Sequence, residues 1–146
     1  MPTRPVPAES VLVRILVVDD FEPARRSLCS ILSTQEQLHV VGEAADGLAA
    51  VQRAQELQPE VILLDIGLPG LNGIEASSEI RKVAPKSKIL FVSQFNDGDI
   101  VRAALSDGQM GYILKADTGR ELLPAIRAVL RGEKFVSSGL KVADPA

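Results

Sequence analysis

Four apolar runs in this chain each end in a side chain able to do chemistry. Asp19 and Asp20 follow residues 13–18, Asp65 follows 61–64, Ser93 follows 89–92 and Lys115 follows 110–114. Three carboxylates brought together repel one another and hold protons more tightly unless a cation joins them. Hard oxygen ligands without His or Cys suit Mg²⁺, which keeps several waters and also binds phosphate. An ionised carboxylate can attack phosphorus to give an aspartyl phosphate. An ammonium and a hydroxyl would then hold the phosphoryl oxygens. Because a phosphoryl group carries about −1.5 to −2 charges, its arrival would draw Ser93 and Lys115 inward. Taken singly, each residue also has a plain role: Asp65 ends a strand, Ser93 caps one, and Lys115 is a surface lysine.

The elements decide between these readings. Residues 61–64 form an unbroken apolar run, as in a strand buried on both faces, and Gly67, Pro69, Gly70 and Gly73 turn the chain just beyond Asp65. Residues 13–18, 39–44, 89–92 and 110–114 predict four more strands. Helical spacing links them: Ala24, Leu28, Ile31 and Leu32 after Pro23, with Arg25 and Arg26 on the other face; Leu48, Val51, Ala54 and Leu57; and Ala76, Ile80 and Val83 within residues 73–84. Val101, Ala104 and Leu105 follow a cap at Asn96 or Asp97, and Leu122, Ile126, Val129 and Leu130 follow a capping box at Thr118 and Glu121. Five strands alternating with five helices predict one doubly wound parallel sheet with helices on both faces. The carboxyl ends of all strands of such a sheet lie on one edge, where ligands bind. Asp19, Asp20, Asp65, Ser93 and Lys115 therefore share it.

Bulk properties narrow the field. The chain has 146 residues, enough for one domain, with 46% hydrophobic and 24% charged residues. Aromatics are only 3%, so Val, Ile, Leu and Ala must build the core. A net charge of −3 argues against direct nucleic-acid binding. Cys29 is the single cysteine and His39 the single histidine, which excludes an internal disulfide and a His-clustered metal site. No apolar run approaches the ~20 residues of a membrane span, and the proline-containing start is no secretory signal, so a cytoplasmic protein is expected. Residues 1–12 read as a loose tail, 13–132 as the folded domain and 133–146 as a tail or linker.

The set resembles a response-regulator receiver domain of two-component signalling over residues 14–132. The residues that carry it are Val17-Val18-Asp19-Asp20, Asp65-Ile66-Gly67-Leu68-Pro69, Gly73, Ser93 after an apolar strand, and Gly111-Tyr112-Ile113-Leu114-Lys115. The resemblance implies a flavodoxin-like strand order 2-1-3-4-5. It implies Asp65 as phospho-acceptor, Asp19, Asp20 and Asp65 as Mg²⁺ ligands with the Gly67 carbonyl, Ser93 as switch hydroxyl, Tyr112 as rotating aromatic and Lys115 as phosphate-binding lysine. It also implies a histidine kinase as partner and self-phosphorylation in place of metabolic catalysis.

The Gly111–Lys115 form and the Leu130-Arg131-Gly132-Glu133 ending are similar to receivers that precede a LuxR/NarL-type helix-turn-helix. A DNA-binding domain following this chain would then be controlled by release or by homodimerisation on phosphorylation. Gln94 departs from the family's small residue and either crowds phosphodonor entry or hydrogen-bonds the phosphoryl group. Glu22 either touches metal-bound water or faces solvent. The rival readings are a Mg²⁺-dependent aspartyl-phosphate phosphohydrolase and a stand-alone receiver acting by protein binding. A dinucleotide-binding domain is disfavoured because no Gly-x-Gly-x-x-Gly follows the first strand.

Overall fold

The computed structural model describes residues 12–106, 108–109 and 111–140. Strands β1 (Val13–Val18), β2 (Leu38–Ala44), β3 (Val61–Leu64), β4 (Lys88–Ser93) and β5 (Gly111–Leu114) alternate with helices α1 (Glu22–Leu32), α2 (Gly47–Leu57), α3 (Gly73–Val83), α4 (Gly98–Leu105) and α5 (Thr118–Leu130). The parallel sheet runs β2-β1-β3-β4-β5, and a short sixth strand, β6 (Phe135–Val136), adds to the β5 edge. The expectation of five strands is corrected by this one. Two apolar residues carry no readable period, yet Phe135 and Val136 pair with Gly111 and Tyr112, and Ser137 N–H donates to the Tyr112 carbonyl at 2.9 Å. The sheet thus extends into the segment expected to be a tail or linker. Met110 and most of the two expected tails lie outside the described residues.

Strand pleating explains how a continuous apolar run fills two cores. Ile15, Val17, Val61, Leu63, Leu90, Val92 and Ile113 face one side, against Leu28 and Leu32 of α1 and Leu122, Ala125 and Ile126 of α5. Their neighbours Leu16, Val18, Ile62, Leu64, Ile89, Phe91 and Tyr112 face the other, against small and branched residues of α2, α3 and α4. With every residue of β3 fully buried, the strand that carries Asp65 is the sheet's least deformable support.

Helix starts are set by local polar chemistry. Asp46 caps α2 by accepting from Ala49 N–H at 2.7 Å, and Asp97 caps α4 from Asp99 N–H at 2.8 Å. A reciprocal capping box stands at α3, where Asn72 and Glu75 each bond the other's backbone N–H. The box expected at Thr118 and Glu121 does not form. A 3₁₀ turn over Lys115–Asp117 leads into α5, Thr118 Oγ1 donates to the Lys115 carbonyl at 3.0 Å, and Glu121 is drawn away to the Ser137 and Ser138 hydroxyls.

Gly73 brings α3 against the site strand. A Cβ there would lie 2.1 Å from the Asp65 carbonyl oxygen and 2.6 Å from Ile66 Cα, both backbone atoms that cannot swing aside. Gly119 in α5 meets nothing within 4 Å. Gly73→Ala is therefore expected to cost about 2–3 kcal/mol or more in chemical denaturation. Gly119→Ala should be neutral or stabilise by up to about 1 kcal/mol.

Candidate functional site

Register brings the polar ends of the strands together. Val18 pairs with Leu64, and Asp65 N–H donates to the Val18 carbonyl at 3.1 Å, so Asp19 and Asp65 leave adjacent strands side by side. On the other flank Ser93 pairs with Leu114, which sets Lys115 one residue beyond. Carboxylate oxygens of Asp19, Asp20 and Asp65 all lie within 4.8 Å of one another. Lys115 Nζ reaches between two of them, 2.8 Å from Asp19 Oδ2 and 3.1 Å from Asp65 Oδ2. Asp19 and Asp65 are buried, at 1% and 4% exposure, whereas Asp20 opens to solvent.

The electrostatics are incomplete. One ammonium faces three carboxylates, so the ionised cluster keeps an excess of negative charge in a poorly hydrated place. Asp19 Oδ2 is buried with the Lys115 ammonium as its one partner, at 2.8 Å, while Asp19 Oδ1 accepts from Phe21 N–H at 2.9 Å. Burial pushes the Asp65 carboxyl above the ordinary carboxylate range; Lys115 opposes that and Asp19 reinforces it. For Lys115, burial works against the ammonium, but contact with Asp19 and the charges of Asp65 and Asp19 outweigh it, and the ammonium is held more tightly than usual. Three carboxylates against one ammonium, in an all-oxygen, His-free and Cys-free donor set, fit a hard divalent cation. Gly67 follows closely, its N–H 3.3 Å from Asp65 Oδ1.

A second group of residues adjoins the acids. The Ser93 side chain is fully buried and its Oγ accepts from Phe95 N–H at 3.0 Å. Tyr112 is also fully buried, and its hydroxyl donates to the Phe95 carbonyl at 2.8 Å. Burial pushes the Tyr112 hydroxyl's pKa up, a contact with Ser93 lowers it, and the charges of Asp65 and Asp97 raise it further. Phe95, absent from the sequence reading, thus ties the hydroxyl and the aromatic through the backbone of one residue, its N–H on Ser93 and its carbonyl on Tyr112.

Gln94 is exposed on the turn after β4. Glu22 pairs with Arg26 at 2.8 Å on the outer face of α1, in the solvent-facing arrangement. Arg25 corrects the expectation that both arginines of α1 face outward. Its side chain is only 18% exposed, and Nη1 donates to the Asp19 carbonyl at 2.7 Å. A helical wheel places Arg25 opposite the core but cannot show that the first turn of α1 sits over the sheet edge.

The family model for response regulator receiver domains matches residues 15–127. The chain belongs to this family. It is 38% identical over 127 residues to the transcriptional regulatory protein LiaR of Bacillus subtilis, covering 87% of this chain and 60% of the relative. It is 39% identical over 121 residues to the response regulator protein VraR of Staphylococcus aureus, covering 83% of this chain and 58% of the relative. The chain therefore spans about three-fifths of the length of these curated relatives. A solved LuxR-family two-component response regulator from Aurantimonas sp. SI85-9A1 superposes with a TM-score of 0.82 at 31% identity, over 88% of this chain and 91% of that one. The family accounts for the flavodoxin-like sheet and the five helices, and places the chain among two-component regulators with transcriptional relatives.

The raised Asp65 pKa has a testable sign. The folded protein holds this proton more tightly than the unfolded chain, so the carboxyl adds no cost below its unfolded pKa and costs stability once pH rises through the folded value. In chelator, Asp65→Asn is expected to raise the thermal midpoint at pH 7 by roughly 2–4 °C. That gain should fade toward roughly pH 4. A midpoint that falls at pH 7 would contradict the electrostatic account of the cluster.

Proposed function

We propose that this domain is a phosphorylation-dependent switch whose phospho-acceptor is Asp65. The observation that carries the reading is the meeting of Asp65 with Asp19, Asp20 and Lys115 at one sheet edge, where a single ammonium faces three carboxylates. Asp65 is ionised when it reacts: one carboxylate oxygen attacks phosphorus, a P–O bond forms, and the P–N bond of a kinase phosphohistidine breaks. The leaving imidazole takes the electron pair and then a proton. Asp19, Asp20 and Asp65, with the Gly67 carbonyl, would hold Mg²⁺, which when bound supplies charge neutralisation at the phosphoryl oxygens.

This chain's own residues do the rest. Lys115 already stands at Asp65 Oδ2 and neutralises charge that builds on the phosphoryl oxygens. Ser93 gives its hydroxyl proton to one of those oxygens, and a swing of the side chain toward the phosphoryl group would stretch the bond that its Oγ accepts from Phe95 N–H. Tyr112 shares Phe95 as a partner, so a shift of Ser93 is felt at its hydroxyl. Buried Val18 and Leu64 close the floor beneath the acids and limit the water that could hydrolyse the product. Gln94 stands on the rim and modulates donor entry or phosphoryl lifetime.

A transcriptional output is supported by the relatives, LiaR being a transcriptional regulatory protein and VraR a response regulator. A histidine kinase supplies the phosphoryl group, and the altered β4–α4–β5 surface controls a DNA-binding domain or a second copy of the chain. The domain contacts neither nucleic acid nor membrane itself and works in the cytoplasm. Among the described residues no helix is long and apolar enough to cross a membrane. Its catalysis is confined to its own acyl phosphate.

Incubation with acetyl phosphate and Mg²⁺, followed by intact mass measurement, is expected to show one added phosphoryl group. Asp65→Asn should abolish the adduct, and omission of Mg²⁺ should reduce it at least roughly tenfold. An adduct that survives Asp65→Asn would refute the assignment.

A further inference from the structure

The acid pair after β1 is held from behind by a contact that the switch reading does not use. Arg25 Nη1 donates at 2.7 Å to the carbonyl oxygen of Asp19, and that oxygen belongs to the peptide joining Asp19 to Asp20. A peptide unit is planar, so fixing its oxygen fixes ψ of Asp19 and φ of Asp20 together. Those two angles set the directions in which both carboxylates leave the chain. From the other side, Asp19 N–H donates to the Ala44 carbonyl at 3.1 Å, so the residue is gripped at both ends. The guanidinium is itself tethered, with Nε 3.2 Å from Glu43 Oε1 on β2, and the backbone of Arg25 is fixed in the first turn of α1 by its N–H bond to the Phe21 carbonyl at 3.1 Å.

We infer that Arg25 is a positioning residue for the cation site, holding the Asp19–Asp20 peptide in the orientation that lets both carboxylates face one ion. The inference rests on the reading that these acids hold Mg²⁺. Geometry and charge pull in opposite directions here, which makes the inference decidable. A guanidinium near a cation site opposes cation binding through charge alone, so removing it should tighten binding if charge were all that mattered. If it orients the ligands, removing it should weaken binding. Glu43 offsets the cost: half-exposed, it adds little to stability, but it neutralises the guanidinium beside the site.

The test is Mg²⁺ titration of the wild type, Arg25→Ala, Arg25→Lys and Asp65→Asn, followed by NMR chemical shifts at fixed ionic strength, with the fold read from the same spectra. Arg25→Ala is expected to weaken Mg²⁺ binding roughly tenfold, within the range found for residues that orient metal ligands. Arg25→Lys keeps the charge and one donor and should fall between the two. Unchanged or tighter binding in folded Arg25→Ala would overturn the inference. Should that variant fail to fold, wild-type affinity in Arg25→Lys with its contact to the Asp19 carbonyl lost would overturn it, and weakened affinity would uphold it. A wild type that binds no Mg²⁺, or binds it no better than Asp65→Asn, would overturn the cation reading itself and the inference with it.

Discussion

One ammonium set among three carboxylates is the interaction on which the rest of this structure depends. Lys115 stands 2.8 Å from Asp19 Oδ2 and 3.1 Å from Asp65 Oδ2, and still leaves the cluster short of positive charge. A fold selected for stability alone would have filled such a place with apolar side chains. The excess charge suits the edge to a cation, and under the proposed function that cation would offset the charge of an incoming phosphoryl group. The cost is borne by two cores built almost wholly from aliphatic residues.

The fold turns this imbalance into a position-sensitive device through strand parity and register. Alternating residues of β4 and β5 serve opposite cores, so Phe91 and Tyr112 pack on the side where Ser93 also points. Phe95 then gathers the Ser93 hydroxyl on its N–H and the Tyr112 hydroxyl on its carbonyl. Beyond Tyr112, β6 and Ser137 bond directly to β5 one residue short of Lys115, since Ser137 Oγ accepts from Leu114 N–H at 2.9 Å. Residues 135–137 are thereby tied to the strand that leads into Lys115.

Much of this was legible from residue order because strand ends are one-dimensional signals. An apolar run that stops at Asp65, Ser93 or Lys115 says where a sheet edge lies, and alternation with helices says that the edges coincide. Gly73 was readable as a turn glycine, though its reason, contact with the Asp65 carbonyl, is spatial. The failures share one cause: each depended on contacts between segments distant in sequence or on a competing local turn. Phe135 and Val136 are too few to show a period. Glu121 had the spacing of a capping partner but found the Ser137 and Ser138 hydroxyls instead. Arg25 looked like one of two solvent-facing arginines because helical periodicity cannot place a helix over a sheet edge.

Asp65 sits in an unbalanced charge cluster that a divalent cation would complete. The most direct test is a pH titration of the Asp65 carboxyl carbon by ¹³C NMR, first in chelator and then with saturating Mg²⁺. The account predicts a midpoint above the ordinary carboxylate range in chelator and well below it with Mg²⁺. A midpoint in the ordinary range without the ion, or one that Mg²⁺ does not move, would contradict it.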